Sequence, residues 1–306
     1  MKKDLLSIGD LALADINSIF KLSQELKKNK QKFAKSLSGK SLALIFQKPS
    51  NRTRVSFEVG MYQLGGNSLY LSPQEINLGV RETIGDVART ISRYVDGIVL
   101  RTFEHKNCLD MAMAATVPVI NGLSDFSHPC QALADLFTIQ EKLKNLKKVT
   151  LVYVGDGNNV CNSLIFAAAK TGMNISVATP KGYAPAEKVV RDALEIAKET
   201  GSRILITEDA FSAVKSAQVV YTDVWASMGQ EEEINKRKIV FKDFQINARL
   251  LSKAPENVLV MHCLPAHRGE EITDEVMESK NSIVFDQAEN RMHAQKAILI
   301  KLLGKD

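Results

Sequence analysis

Short apolar runs alternate along this chain with longer stretches in which apolar residues recur every three or four positions. The short runs predict strands at 41–46, 67–71, 97–100, 117–120, 149–154, 174–178, 203–207, 219–222, 258–263 and 282–285. The helical spacing predicts helices over 55–64, 83–94, 131–143, 159–170, 186–200 and 290–303. Such alternation defines an α/β protein with mainly parallel sheets and helices on both faces. At 306 residues the chain is too long for one ordinary core, so two doubly wound domains are expected. A lysine-rich stretch at 142–148 separates a long helix from a new strand and sets the expected domains at 1–144 and 145–287. The last helix, within 288–306, is amphipathic, and its pattern fits packing on either half.

Composition narrows the class. Hydrophobic content of 45% and charged content of 25% are those of a soluble globular protein. Asp4 and Asp10 interrupt any apolar leader, and no stretch is long and apolar enough to cross a bilayer. Cys108, Cys130, Cys161 and Cys263 have neither ligand nor disulfide spacing, which points to a reducing cytoplasm. The net charge of +5 favours an anionic substrate, although surface lysines such as Lys27, Lys28, Lys30 and Lys32 account for part of it. Without aromatic interleaving or a known motif, nucleic acid is an unlikely partner.

Candidate chemistry collects where strands end, which is where open α/β sheets bind ligands. Ser50-Asn51-Arg52-Thr53-Arg54 follows the strand 41–46 and opens a helix. Free backbone N–H groups and the helix dipole favour an anion there, and the sequence adds two arginines and a hydroxyl. Arg101 closes the strand 97–100, and His128-Pro129-Cys130-Gln131 opens the helix ending the first half. Asp223-Val224-Trp225-Ala226-Ser227-Met228-Gly229 follows the strand 219–222, and His262-Cys263-Leu264-Pro265-Ala266-His267-Arg268 falls at the end of the last long apolar run. Each has a plain structural reading as a cap, an ion pair or a core residue. Five polar clusters at strand ends together point to a site.

The same residues admit other functions. Gly155-Asp156-Gly157-Asn158-Asn159-Val160 resembles a dinucleotide loop, but its third glycine is Val160 and no ribose-binding carboxylate follows at Ala178-Thr179. A Cys263 nucleophile cannot easily pair with His262, because neighbours on a strand face opposite ways; His267 or His128 remain as partners. A metal held by Cys263 and His267 lacks further ligands at the expected spacing.

Taken together, S-x-R-T-R at 50–54, H-P-C-Q at 128–131, D-x-W-x-S-M-G at 223–229, H-C-L-P at 262–265 and E-N-R-M-H-A at 289–294 resemble the aspartate/ornithine carbamoyltransferase family over nearly the whole chain. The S-M-G and H-C-L-P segments resemble its ornithine branch. The resemblance implies transfer of a carbamoyl group from carbamoyl phosphate to the δ-amine of L-ornithine, a reaction of arginine metabolism, without metal or organic cofactor. It implies that Ser50, Asn51, Arg52 and Thr53 hold the phosphate and that Arg101, His128 and Gln131 meet the carbamoyl group. Asn159, Asp223, Ser227 and Met228 would bind ornithine, Cys263 and Leu264 would flank the reacting amine, and Arg291 would reach carbamoyl phosphate. It also implies a cis Leu264–Pro265 peptide, a last helix returning to the first domain, and a trimer with shared active sites, Asn77 serving a neighbour's site.

The chemistry suits these residues. Arg101, His128 and Thr53 are donors of the right type for a developing oxyanion, and Arg52 and Arg54 for a departing phosphate. Glu231, Glu232 and Glu233 beside Asp223 suit a cationic acceptor, without separating ornithine from putrescine. A non-catalytic binding protein on the same fold is the remaining alternative. Two positions depart from the family pattern: relatives most often have threonine at Asn51 and glutamine at Asn77.

Overall fold

The structure, a computed structural model, describes residues 3–226 and 233–304. The chain divides into two compact units, one comprising Met1–Phe137 with Asn290–Asp306 and the other Thr138–Glu289. Each is built on an open, wholly parallel sheet.

The first unit holds β1 (Ser41–Phe46), β2 (Asn67–Leu71), β3 (Gly97–Arg101) and β4 (Val119–Leu123) in the order β2-β1-β3-β4. The inner strands are apolar because helices cover them; Ile45, Ile98, Leu100 and Val119 pack with Val87, Ala88, Cys108 and Met111. β4 begins two residues later than the apolar run suggested. The buried amide of Asn121 lies inside it, and its NH2 group donates to the carbonyls of Leu6 and Ser127, which accommodates a polar side chain where the pattern read a strand end. The helix Val284–Leu303 supplies, from Asn290 onward, the C-terminal part of this unit. There Lys27 Nζ donates to Asn290 Oδ1 at 2.8 Å, Lys296 Nζ donates to Gln63 Oε1 at 2.9 Å, and Ala294, Ala297, Ile298 and Leu299 are buried.

The second unit holds β5 (Thr150–Val154), β6 (Asn174–Ala178), β7 (Ile204–Thr207), β8 (Val219–Thr222) and β9 (Leu259–His262) in the order β7-β6-β5-β8-β9. Val152, Val154, Val220 and Val260 pack with Trp225, Phe241, Ile272 and Val284. The strand expected at 282–285 is not formed. Ser282 makes one isolated bridge to Val260, and at Val284 the chain turns into its last helix, so Val284 and Phe285 open a helix instead of extending a strand. No helix among the described residues is long and apolar enough to cross a membrane.

Strand order reverses between β1 and β3 in one sheet and between β5 and β8 in the other. At such a point adjacent connections leave in opposite directions and open a crevice at the carboxyl ends. Gly157, in the loop after β5, shows how tightly that edge is packed. A Cβ there would stand 2.3 Å from Pro185 N and 2.7 Å from the Tyr183 carbonyl oxygen. Close backbone approach therefore explains the glycine without a dinucleotide. Gly157→Ala is expected to cost about 1–3 kcal/mol of stability; a urea unfolding curve identical to the parent's would contradict this close approach.

Candidate active site

In the first unit the crevice is flanked by the connections after β1 and β3. Ser50 caps the helix Asn51–Gln63, its Oγ accepting from Thr53 N–H at 3.3 Å and donating to Thr53 Oγ1 at 3.1 Å. Arg291 Nη2, from the last helix, donates to the same Thr53 Oγ1 at 2.9 Å. With two donors on its oxygen, the Thr53 hydroxyl keeps its own proton for another acceptor. The first turn of this helix thus combines backbone N–H groups, the dipole and a guanidinium, the physical makings of an anion cradle. Arg52 is half-buried and has no side-chain partner among the described residues. Arg54 does not share that role: its Nε meets Glu58 Oε1 at 3.0 Å and its guanidinium lies over Tyr70 at 4.0 Å. Asn51 is exposed in the first turn, where its backbone N–H belongs to the cradle.

Arg101 ends β3 beside Phe46 and is buried. His128 precedes the helix Pro129–Leu143, its carbonyl accepting from the N–H groups of Gln131 and Ala132. Burial, and then the Arg291 and Arg101 guanidinium groups, hold its imidazole well below the ordinary histidine range. At neutral pH it is an uncharged ring able to donate one N–H. Gln131 Nε2 donates to Asp135 Oδ1 at 2.8 Å, which orients the amide and leaves Oε1 as a buried acceptor with no partner among the described residues. Asn77 stands apart from this group as an exposed residue at φ 41, closing the short helix Pro73–Ile76. Asparagine tolerates that left-handed conformation better than most residues.

In the second unit the crevice lies between the connections after β5 and β8. Asp223 follows β8 and is only 6% exposed. Its Oδ2 accepts from Asn158 Nδ2 at 2.8 Å, and its Oδ1 from Val224 N–H at 2.8 Å and the Cys263 thiol at 2.9 Å. No cation among the described residues pairs with this carboxylate. Asn158, which the sequence reading passed over, also caps the helix Asn159–Thr171, its Oδ1 accepting from Val160 and Cys161 N–H. An asparagine opening a helix after a strand was the available signal. Asn159 itself is half-buried in the first turn.

Cys263 follows β9, and Leu264–Pro265 is cis. Both ring nitrogens of His262 are engaged, by Glu271 at 3.0 Å and by Leu264 N–H at 2.8 Å, although one stands within 4.8 Å of the Cys263 sulfur. Neither is open to serve as a base for the thiol. Cys263 and His267 fall in separate groups of donor atoms, Cys263 with Asp223 and His262, His267 with Glu270 and Glu271. Glu233 is 2.9 Å from Arg237 Nε, so its charge is locally neutralised and adds little to the attraction of a cation. The same guanidinium meets Asp156 Oδ2 at 3.0 Å and the Trp225 carbonyl at 2.7 Å. Ser227, Met228, Glu231 and Glu232 lie outside the described residues.

One unit thus carries an anion cradle with carbonyl-directed donors, and the other a buried carboxylate beside a thiol, each at the switch point of its sheet. That division is the mark of a two-substrate group-transfer protein. Residues 3–141 match the family described as aspartate/ornithine carbamoyltransferase, carbamoyl-P binding domain, and residues 147–302 match its Asp/Orn binding domain. The chain belongs to the aspartate/ornithine carbamoyltransferase family. It is 54% identical to the ornithine carbamoyltransferase of Thermococcus kodakarensis, covering 99% of this chain and 96% of that one. It is 53% identical to that of Anoxybacillus flavithermus, covering 98% and 96%. The solved ornithine carbamoyltransferase of Pyrococcus furiosus superposes with a TM-score of 0.95 at 54% identity, covering 98% of this chain and 96% of that one.

The neutral His128 has a measurable consequence. In the unfolded chain an imidazole takes up a proton below about pH 6.5, whereas the folded one resists. Its contribution to stability is complete above that pH and is lost as pH falls through and below it. The urea midpoint should fall between pH 8 and 5 by more in the parent than in His128→Gln, and the His128 ring signals should not titrate between pH 8 and 6.

Proposed function

We propose that this protein transfers the carbamoyl group of carbamoyl phosphate to the δ-amine of L-ornithine, giving L-citrulline and phosphate. The observation that carries the choice of acceptor is Asp223, a buried carboxylate held by three donors and paired with no cation among the described residues. A substrate ammonium is the partner such a group calls for. An aspartate acceptor would bring two carboxylates and need cations instead. The likeness to relatives named for ornithine favours that acceptor over putrescine.

In this reading the phosphate rests on the N–H groups of the first turn at Ser50, Asn51, Arg52 and Thr53, with Arg52 and Arg291 matching its charge. The carbonyl oxygen takes hydrogen bonds from Arg101, His128 and the Thr53 hydroxyl, and Gln131 Oε1 accepts from the carbamoyl NH2. Attack by the neutral amine forms the C–N bond and drives electrons onto that oxygen; collapse breaks the bond to phosphate, and the amine's extra proton is released. One preorganised donor of this kind is worth about 2.7–4 kcal/mol. Asp223 anchors the α-ammonium, helped by Asn159, Ser227 and Met228, while Cys263 and the Leu264 carbonyl lie beside the reacting amine. A lysine-like amine costs about 4.6 kcal/mol to hold neutral at pH 7, comparable with a whole oxyanion donor. Cys263 therefore serves as a hydrogen-bonding partner in positioning and proton handling.

We also propose a cytoplasmic trimer in which Asn77 serves a neighbouring subunit's site. None of the four cysteines is in a disulfide, and all are buried. The helix Asn51–Gln63 exposes Val55, Val59 and Tyr62 along one face, with Tyr62 82% exposed, and Leu69 is exposed on the neighbouring edge strand. Tyr62→Glu should shift the sedimentation coefficient toward the monomer, and an unchanged value would oppose this face as the interface.

The function is tested by supplying carbamoyl phosphate with ornithine, putrescine or aspartate and measuring carbamoylated product and phosphate. Citrulline should dominate; none at any pH sinks the proposal. Arg101→Gln should lower kcat by about 10²–10³-fold. Cys263→Ala should keep measurable turnover at raised pH and trap no covalent adduct, and complete loss at every pH would count against a positioning role.

A further inference from the structure

The turn after β9 that carries Cys263 has a backbone in need of support. Leu264 sits at φ 60, the left-handed region that side chains branched near the backbone avoid. Two fully buried side chains hold it there. The Leu264 N–H donates to His262 Nδ1 at 2.8 Å, and His262 Nε2 stands 3.0 Å from Glu271 Oε1. Because Nδ1 accepts, the ring proton is on Nε2 and is donated to Glu271. The same Oε1 accepts from His267 N–H at 2.6 Å, so one carboxylate oxygen ties both ends of the turn.

Glu271 is itself anchored by its main chain. Its carbonyl accepts from Ile246 N–H at 2.8 Å, and the adjoining Ile272 forms bridges with Ile246 and Arg268. His262 and Glu271 are both 0% exposed, and Glu271 Oε2 has no hydrogen-bond partner among the described residues. A carboxylate so deeply buried is costly, and an apolar residue of similar size would fill the space more cheaply. What the carboxylate adds is the orientation of the His262 ring. A metal site is the weaker reading of His267, Glu270 and Glu271: Glu270 is paired with Lys238 at 2.7 Å and Glu271 Oε1 is committed twice.

We propose that Glu271 is a positioning residue for the transfer reaction. Through His262 it keeps Nδ1 as the acceptor for Leu264 N–H, and so places the Cys263 thiol and the Leu264 carbonyl beside Asp223. This rests on the carbamoyl-transfer reading of the same site. Glu271 makes no hydrogen bond to Cys263 or Asp223, so its effect passes through the turn.

The test compares the parent enzyme with Glu271→Gln and Glu271→Ala in steady-state assays with carbamoyl phosphate and ornithine, together with imidazole 15N shifts. Glutamine offers an acceptor oxygen in the same place and should keep kcat within about tenfold. Alanine removes it and should lower kcat by about 100-fold, the scale of a misplaced reacting group. KM for carbamoyl phosphate, set by residues of the first unit, should stay within about threefold, and kcat is referred to the folded fraction counted by near-UV circular dichroism, since lost fold alone would lower apparent kcat without moving KM. In the parent, the His262 proton should be on Nε2. An alanine variant with near-parent kcat, equal damage to kcat and that KM, or a parent His262 protonated on Nδ1 overturns the proposal. Should the alanine variant not fold, the glutamine variant and the parent tautomer decide: a fall of more than tenfold in E271Q also overturns it. A parent that makes no citrulline defeats the transfer reading and this proposal with it, whereas an active parent with an unaffected E271A defeats this proposal alone.

Discussion

Parallel strands cannot be joined by a tight turn, so every connection in both sheets climbs back over a face before the next strand begins. All carboxyl ends therefore gather on one edge, and each following helix presents the unpaired N–H groups of its first turn there. The reversal of strand order between β1 and β3, and again between β5 and β8, opens that edge into a crevice in each unit. The Ser50 cap and Arg101 stand at the first reversal, Asn158 and Asp223 at the second. Remove the parallel pairing and no local feature would gather either pair.

The two crevices are electrically opposite, and neither is described by the protein's net charge. Around Thr53 the guanidinium of Arg291 and the helix terminus favour negative charge, and the same guanidinium, with Arg101 and burial, leaves His128 uncharged. A neutral ring next to two cations adds a directed donor without adding repulsion. Around Asp223 the solution is reversed: a carboxylate is stabilised by an amide, a backbone N–H and a thiol, all neutral donors. Its hydrogen-bonding demand is met only by neutral groups, which leaves it suited to an ammonium.

Much of this was legible in the amino-acid sequence because strand periodicity and helix caps are local properties. The runs at 41–46, 67–71, 174–178 and 219–222 are strands with those limits, since each is bounded by turn residues that leave no ambiguity. The run at 282–285 misled because a short apolar run such as Ile283-Val284-Phe285 looks alike in a strand and at the start of a helix. Side-chain partnerships were less legible because they depend on folding distant segments together. Nothing in S-x-R-T-R says that Arg54 is taken by Glu58 and Tyr70, or that Arg291 donates to Thr53 from the far end of the chain. Nor does D-x-W-x-S-M-G show that Asn158 holds Asp223 and that Arg237 neutralises Glu233.

The helix Asn51–Gln63 joins two of these themes in one rigid body. Its thirteen residues form a rod about 20 Å long, with the anion cradle at its tip and Val55, Val59 and Tyr62 along its flank. Hydrogen bonds along the axis make such a rod stiff, so a sideways load on the flank reaches the tip as a tilt rather than a bend. A tilt of a few degrees would swing the first-turn N–H groups by a sizeable fraction of a hydrogen-bond length, while Thr53 remains tethered to Arg291. Whatever rests against that flank therefore works as a lever arm on the aim of the cradle.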